Sequence, residues 1–232
     1  MQNYKTLYLI GTSHISKQSI SEIRSAFREI EPEIVAVELD KSRAAALMSN
    51  KTRRPGFYDI KRIGLKGLLF AILGGWISRK LGKLVGVRPG SEMKTALKLA
   101  KKNRKKVAFI DQHIEITLRK FSKMLSWKER WNFLADIFAG IFKRDPLLNF
   151  DLSKVPAKRI IKMMIERVKK RYPNVYKVLV EERNYYMSSR LKRLMAENQD
   201  KKILAIVGAG HEDDIMDILK ENEGISYSFT FG

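Results

Sequence analysis

Along this chain, stretches with apolar residues at helical spacing are broken by short runs that are apolar throughout. Residues 7–10, 34–37, 107–110 and 203–207 are too short and too uniform for surface helices, and they predict buried strands, the first extended back to residue 4. Residues 19–30 place Ile20, Ile23, Phe27 and Ile30 on one helical face and stop at Glu31-Pro32, since a residue before proline is driven out of helical geometry. Pro89-Gly90-Ser91-Glu92 predicts the start of a helix to residue 102, with Met93, Ala96, Leu97 and Ala100 facing inward. Helical patterning also covers 114–124, 127–142, 160–168 and 175–198, and the alternation over 225–230 predicts a last, edge strand. The strand, helix, strand order at the N-terminus predicts a parallel pair joined by a right-handed crossover. The fold class expected is α/β: a central, mostly parallel β-sheet with flanking helices and a large helical insertion.

Two of the apolar runs end in the same way. Residues 7–10 lead into Gly11-Thr12-Ser13-His14, and residues 203–207 into Gly208-Ala209-Gly210-His211. The chain has three histidines, so two of them occupy equivalent Gly-x-x-His corners. Glu212, Asp213 and Asp214 suit a first helical turn, where unpaired N–H groups favour negative charge. A neutral histidine at a strand end is a metal ligand or a base. Glu38 closes the 34–37 run and Asp111 the 107–110 run. In an open α/β sheet, ligands bind outside the carboxyl ends of the strands, so His14, Glu38, Asp111 and His211 are expected to meet in one crevice. Two imidazoles with a carboxylate match sets that hold a divalent metal and leave positions open for water and substrate. Such an ion polarises a carbonyl and lowers the pKa of water, which makes hydrolysis the natural chemistry. The alternative for each residue alone is structural: a turn for either histidine corner, a helix cap or ion pair for Glu38 or Asp111. His113, beside Asp111, is read as a surface residue and not as a ligand.

Composition changes this picture in two ways. The 232 residues, 44% hydrophobic, suffice for one large domain, and the absence of cysteine excludes disulfides and thiolate metal sites. The net charge of +21 is uneven: between residues 51 and 106 there are seventeen Lys or Arg against two acids. That segment reads either as a solvated helical surface or as a surface that meets anionic lipid or another polyanion. Its uncharged run, 67–78, is short of the roughly 20 residues a membrane span needs. No signal-peptide pattern opens the chain, so a cytoplasmic or membrane-associated location is expected. Specific nucleic-acid binding is not expected, because no reading motif accompanies the charge.

The motifs taken together resemble the TraB/PrgY family. They are Gly11-Thr12-Ser13-His14; Val37-Glu38-Leu39-Asp40 with Arg43; Gly86 to Met93; Asp111 with Thr117-Leu118-Arg119; Glu182-Arg183-Asn184; and Val207 to His211, in family order over nearly the whole chain. The family includes pheromone-shutdown proteins of bacterial conjugation and, in its wider group, the Tiki metal-dependent proteases, with distant similarity to erythromycin esterase and ChaN-like folds. The resemblance implies a single TraB-type domain over 1–232, with a basic helical segment (52–106) and a helical segment (114–200) inserted between sheet strands. It further implies a divalent-metal-dependent hydrolase acting on peptides, the ion being manganese, cobalt or zinc. His14, Glu38 and His211 match the family's paired histidines and glutamate, with Asp111 as an additional ligand or a group behind the ligands. Glu38 is alternatively the general base. Arg119 and Arg183 match further family positions, suited to clamping a substrate carboxylate or an oxyanion, or alternatively to an ion pair with Asp111 or Glu182 that braces the cleft. Where relatives commonly carry Asp-Arg, this chain has Asp111-Gln112, which leaves no cation at that second position. The competing expectation is a non-catalytic module, alone or as a homo-oligomer, that captures a peptide or partner at a membrane surface through 51–106.

Overall fold

The computed structural model describes residues 1–12, 17–49, 61, 90–142 and 157–221. Most of the basic 52–89 stretch, His14 and the strand expected over 225–230 therefore lie outside the described residues.

Five strands form one sheet: β1 (Gln2–Tyr4), β2 (Leu7–Thr12), β3 (Ile34–Val37), β4 (Lys106–Phe109) and β5 (Ile203–Gly208), in the order β1-β2-β5-β3-β4. Only β1 runs antiparallel; β2, β5, β3 and β4 are mutually parallel. The mostly parallel α/β sheet with flanking helices is thus the observed architecture.

Two expectations are corrected. The strand expected over 4–10 is a hairpin: Tyr4 pairs with Leu7 across a two-residue turn, and Lys5 takes the left-handed conformation (φ 52°) that a tight turn demands. The N-terminal strands β2 and β3 are parallel but not neighbours, because β5 enters between them and pairs with both. Strand β5 is wholly buried, so it satisfies its backbone on both sides in the middle of the sheet.

Side chains of the parallel strands alternate between two apolar layers. Ile10, Val35, Val37, Leu204 and Ile206 pack under α1 (Lys17–Ile30), α2 (Lys41–Ser49) and α3 (Ser91–Lys102). Leu7, Leu9, Ile34, Ala36, Ile203, Ala205 and Val207 point to the other face. The helices there are α8 (Glu182–Ala196) and α9 (Glu212–Glu221), which supply Met187, Leu191, Ile215, Met216 and Leu219. Helix α3 is therefore a core layer of the domain.

Helices α4 (Ile114–Met124), α5 (Trp127–Phe142) and α6 (Ala157–Arg171) come between β4 and α8. The helical run before α8 is not uniform: α7 (Pro173–Tyr176) passes into a π-helical turn over Lys177–Glu181, where Glu182 N–H reaches the Lys177 carbonyl five residues back. Among the described residues, no helix is long and apolar enough to cross a membrane.

Candidate active site

The parallel register brings four strand ends to one edge. Thr12 lies opposite Gly208, while Val37 lies opposite Ile206 on one side and Phe109 on the other. Glu38 and Asp111 follow at that edge, held by Glu38 N–H to Ile206 O (3.1 Å) and Ile110 N–H to Val37 O (3.1 Å). Beyond Gly208 the chain turns sharply: Ala209 N–H donates to Thr12 O (2.7 Å) and His211 N–H to Gly208 O (2.9 Å). Ile215 N–H donates to the His211 carbonyl (3.0 Å), which makes His211 the residue that opens α9.

Gly11 and Glu212 explain why this corner needs glycine. A methyl group at Gly11 would stand 2.8 Å from Glu212 Cβ and closer still to its carboxylate. Glu212 is 4% exposed and sits in the first turn of α9, so it has little room to give way. Gly11→Ala is expected to cost about 1–3 kcal/mol by overpacking, read as a lowered urea midpoint at unchanged slope; an unshifted midpoint would show that the corner is looser than described.

The centre of the edge is Arg183, on the first turn of α8, with its side chain 15% exposed. Its Nη2 is bonded to Glu38 Oε1 and lies 2.8 Å from Asp111 Oδ2, and its Nε lies 3.1 Å from Asp111 Oδ1. Its Nη1 donates to the Leu179 carbonyl in the π turn (3.1 Å) and stands 3.3 Å from His211 Nε2. Burial works against the Arg183 charge, but Glu38 and Asp111 outweigh it and hold the guanidinium firmly protonated.

Asp111 also accepts from Arg43 on α2, so both of its oxygens are taken by guanidinium groups. Arg43 is aligned by Asp40, whose Oδ2 is 2.6 Å from Nε. The other oxygen of Asp40 caps α2 at the backbone N–H groups of Ser42 (2.8 Å) and Arg43 (3.0 Å). Burial alone would raise the Asp40 carboxyl, yet the hydrogen bonds from Ser42 and Arg43 prevail and keep it well below the usual carboxylate range.

Glu38 is pinned at both oxygens: Oε2 accepts Gly208 N–H (2.6 Å), while Oε1 meets Arg183 and lies 3.5 Å from His211 Nε2. The His211 tautomer follows from its neighbours. Asn184 Nδ2 donates to Asp214 Oδ2 (2.8 Å), so Asn184 Oδ1 is the atom facing His211 Nδ1 (2.5 Å), and Nδ1 carries the proton. Nε2 is left as a lone-pair donor aimed at Glu38 and Arg183.

Of the sequence-predicted residues, Glu38, Asp111, Arg183 and His211 are brought into one network, Arg119 is exposed on α4, and His14 lies outside the described residues. Arg43, Asp40, Asn184 and Asp214 join the network without having been singled out as site residues. The i,i+3 pair Asp40/Arg43 and the adjacency of Asn184 to Arg183 are the signals that point to them. His113 is exposed and caps α4, consistent with a surface role.

Two donors at this edge, His211 Nε2 and Glu38 Oε1, are of a type that divalent ions take. With bonds of roughly 2.1 Å, neighbouring ligand atoms of such an ion stand about 3.0–3.4 Å apart, close to the 3.5 Å between His211 Nε2 and Glu38 Oε1. A ligating histidine usually donates its other ring N–H to an acceptor that fixes the ring, and here Asn184 Oδ1 is placed as that acceptor. The carboxylates Glu38, Asp40, Asp111 and Asp214 against the guanidinium groups of Arg43 and Arg183 also leave the network with an excess of acids. Among the described residues, no three of His, Asp and Glu are grouped to hold an ion; the candidate third ligand is His14. Asp111, saturated by Arg43 and Arg183, has the geometry of a group that positions those arginines.

Comparison with known proteins gives three findings. The family model described as the TraB/PrgY/gumN family matches residues 2–224. An uncharacterized protein of Methanocaldococcus jannaschii is 36% identical over 223 residues, covering 94% of this chain and 54% of that protein. TraB domain-containing proteins of mouse and human are 24% and 23% identical over 233 residues, covering 88% of this chain and 60% of theirs. The chain thus spans little more than half the length of these relatives. Among solved structures, an erythromycin esterase mutant in its open conformation is similar at 13% identity over 88% of this chain and 60% of that one; its TM-score of 0.33 is too low to carry an argument.

Proposed function

Because the chain belongs to the TraB/PrgY/gumN family, we propose that it is a divalent-metal-dependent hydrolase of peptide bonds, with His14, Glu38 and His211 as the ion's ligands. The observation that carries this reading is the pair of lone-pair donors, Glu38 Oε1 and His211 Nε2, 3.5 Å apart and beside a buried guanidinium. Buried ion pairs are weak contributors to stability, so a network this heavily charged at the carboxyl edge of a sheet fits function better than bracing. An ion held there would act as a Lewis acid toward a carbonyl and toward water.

The chain's own residues have separable tasks. Asn184 and Asp214 fix the His211 ring and select the neutral tautomer with its proton on Nδ1. Gly208 N–H orients the Glu38 carboxylate at Oε2, and Arg183 and His211 meet it at Oε1. Arg183, whose donors are engaged by Asp111, Glu38, His211 and the Leu179 carbonyl, holds Glu38 in place and supplies a fixed positive charge beside it. Arg43 and Asp40 hold Asp111 in turn. Exposed Arg119 is assigned to the carboxylate of an incoming peptide.

Glu38→Gln tests the reading and divides its two versions. The replacement keeps the shape and removes the charge, and turnover of a peptide mixture by protein loaded with manganese, cobalt or zinc is expected to fall by about 10²–10⁴-fold. Metal lost together with turnover assigns Glu38 as a ligand, and metal retained without turnover assigns it as the general base. Undiminished cleavage would remove Glu38 from the chemistry.

A further inference from the structure

A second feature lies on the α5/α6 side of the molecule. There, α5 and α6 are locked together by Asp136, which accepts from Arg171 Nε (2.7 Å) and from Tyr172 Oη (2.5 Å), and by Asn132 Nδ2 donating to the Arg171 carbonyl (3.2 Å). Burial, with Asp136 next, pushes the Tyr172 hydroxyl up to about 12, so it keeps the proton that it donates to Asp136. Between the two helices is an open pocket of about 840 Å³.

Its lining carries Lys128, Lys162, Arg167, Lys170 and Arg171 against the acids Glu129 and Glu166, with Arg171 paired to Asp136 and Lys162 to Asp213. Glu129 is 1% exposed and its carboxylate is engaged from behind, which places its charge below the surface, while Lys128, Arg167 and Lys170 stand exposed. It accepts from Ser126 N–H (2.9 Å) and Oγ (2.8 Å) and from Asn174 N–H (2.8 Å) and Nδ2 (3.0 Å). Glu129 therefore ties the start of α5 to α7 and forms part of the pocket's frame. Lys162 reaches the other way, to Asp213 in the first turn of α9, two residues beyond His211. One wall of the cationic pocket thus ends next to the turn that carries the candidate ligand.

We infer that the α5/α6 pocket binds an acidic segment of a peptide substrate whose cleaved bond lies toward His211. Its volume is that of a ligand site, and a concave surface of one sign concentrates ligands of the other. The identification of the ligand as substrate rests on the peptidase reading, whereas the binding itself does not.

The test is fluorescence anisotropy with a labelled decapeptide containing five consecutive glutamates and its glutamine counterpart, at low and at physiological salt. The protein carries His211→Ala, so that no peptide is consumed. The expected result is preference for the glutamate peptide by ten-fold or more, abolished by the double change Arg167→Glu and Lys170→Glu. It should be kept within two-fold by Lys101→Glu and Lys102→Glu, equally exposed charges on α3 outside the pocket. Equal loss in both double variants would mean that only the diffuse charge of the chain attracts the peptide, and would overturn the inference. So would equal affinity for the two peptides. Selective binding without cleavage by the unmodified protein would sink the peptidase reading and leave the pocket assignment standing; cleavage with no preference for acidic peptides would do the reverse.

Discussion

Arg183→Met is expected to destabilise the protein by about 3–5 kcal/mol, the penalty for removing one partner of a buried ion pair. The substitution preserves the apolar stem and deletes the guanidinium that bonds Glu38, Asp111 and the Leu179 carbonyl. Glu38 keeps Gly208 N–H and Asp111 keeps Arg43, yet each buried carboxylate loses a charged donor. Arg183→Lys should recover only part of the loss, since an ammonium cannot present the fork that spans two carboxylates. Adding Glu38→Gln and Asp111→Asn to Arg183→Met should recover more, because the unpaired charges are then gone. Urea unfolding monitored by circular dichroism measures all three. A change under about 1 kcal/mol for Arg183→Met would mean that water, not Arg183, compensates the two acids.

His211→Ala has the largest expected effect on activity: peptide turnover lower by at least about 10²–10⁴-fold, with a fold that survives. The ring is 10% exposed at its side chain and sits at the rim of the sheet, outside both apolar layers, so its loss opens little core. Asn184→Ala should act more mildly, about 10–100-fold, because it frees the ring without removing it. The graded pair separates a chemical role for His211 from a packing role. Steady-state cleavage and thermal melts on both variants make the measurement, and equal activity in all three proteins would contradict the assignment.

The sequence makes the sheet legible where burial leaves no choice. Residues 34–37 and 203–207 lie between helices on both faces, so they read as apolar runs and appear as β3 and β5. The hairpin at Lys5 was hidden because its turn lacks the Asn-Gly or Asp-Gly pattern and puts a lysine in the left-handed region. Strand order was hidden as well: nothing local in β2 or β3 records that a strand far along the chain comes between them.

The meeting of Glu38, Asp111 and His211 at one sheet edge was legible, since each follows a strand end. The wiring of the site was not. Residues 175–198 read as one helix, and only the structure shows the π turn at Lys177–Glu181 that presents the Leu179 carbonyl to Arg183. The sequence leaves the position after Asp111 without a cation, and Arg43 supplies one from α2.

Metal stoichiometry tests the central claim most directly. Protein loaded separately with manganese, cobalt and zinc, then desalted and analysed by plasma mass spectrometry, is expected to retain one ion per chain of at least one metal. His14→Ala and His211→Ala are expected to retain none while remaining folded by circular dichroism. Loss in both variants would tie the two Gly-x-x-His corners to a single ion. Folded protein that binds no metal, or variants that bind it as well as the parent, would contradict the account.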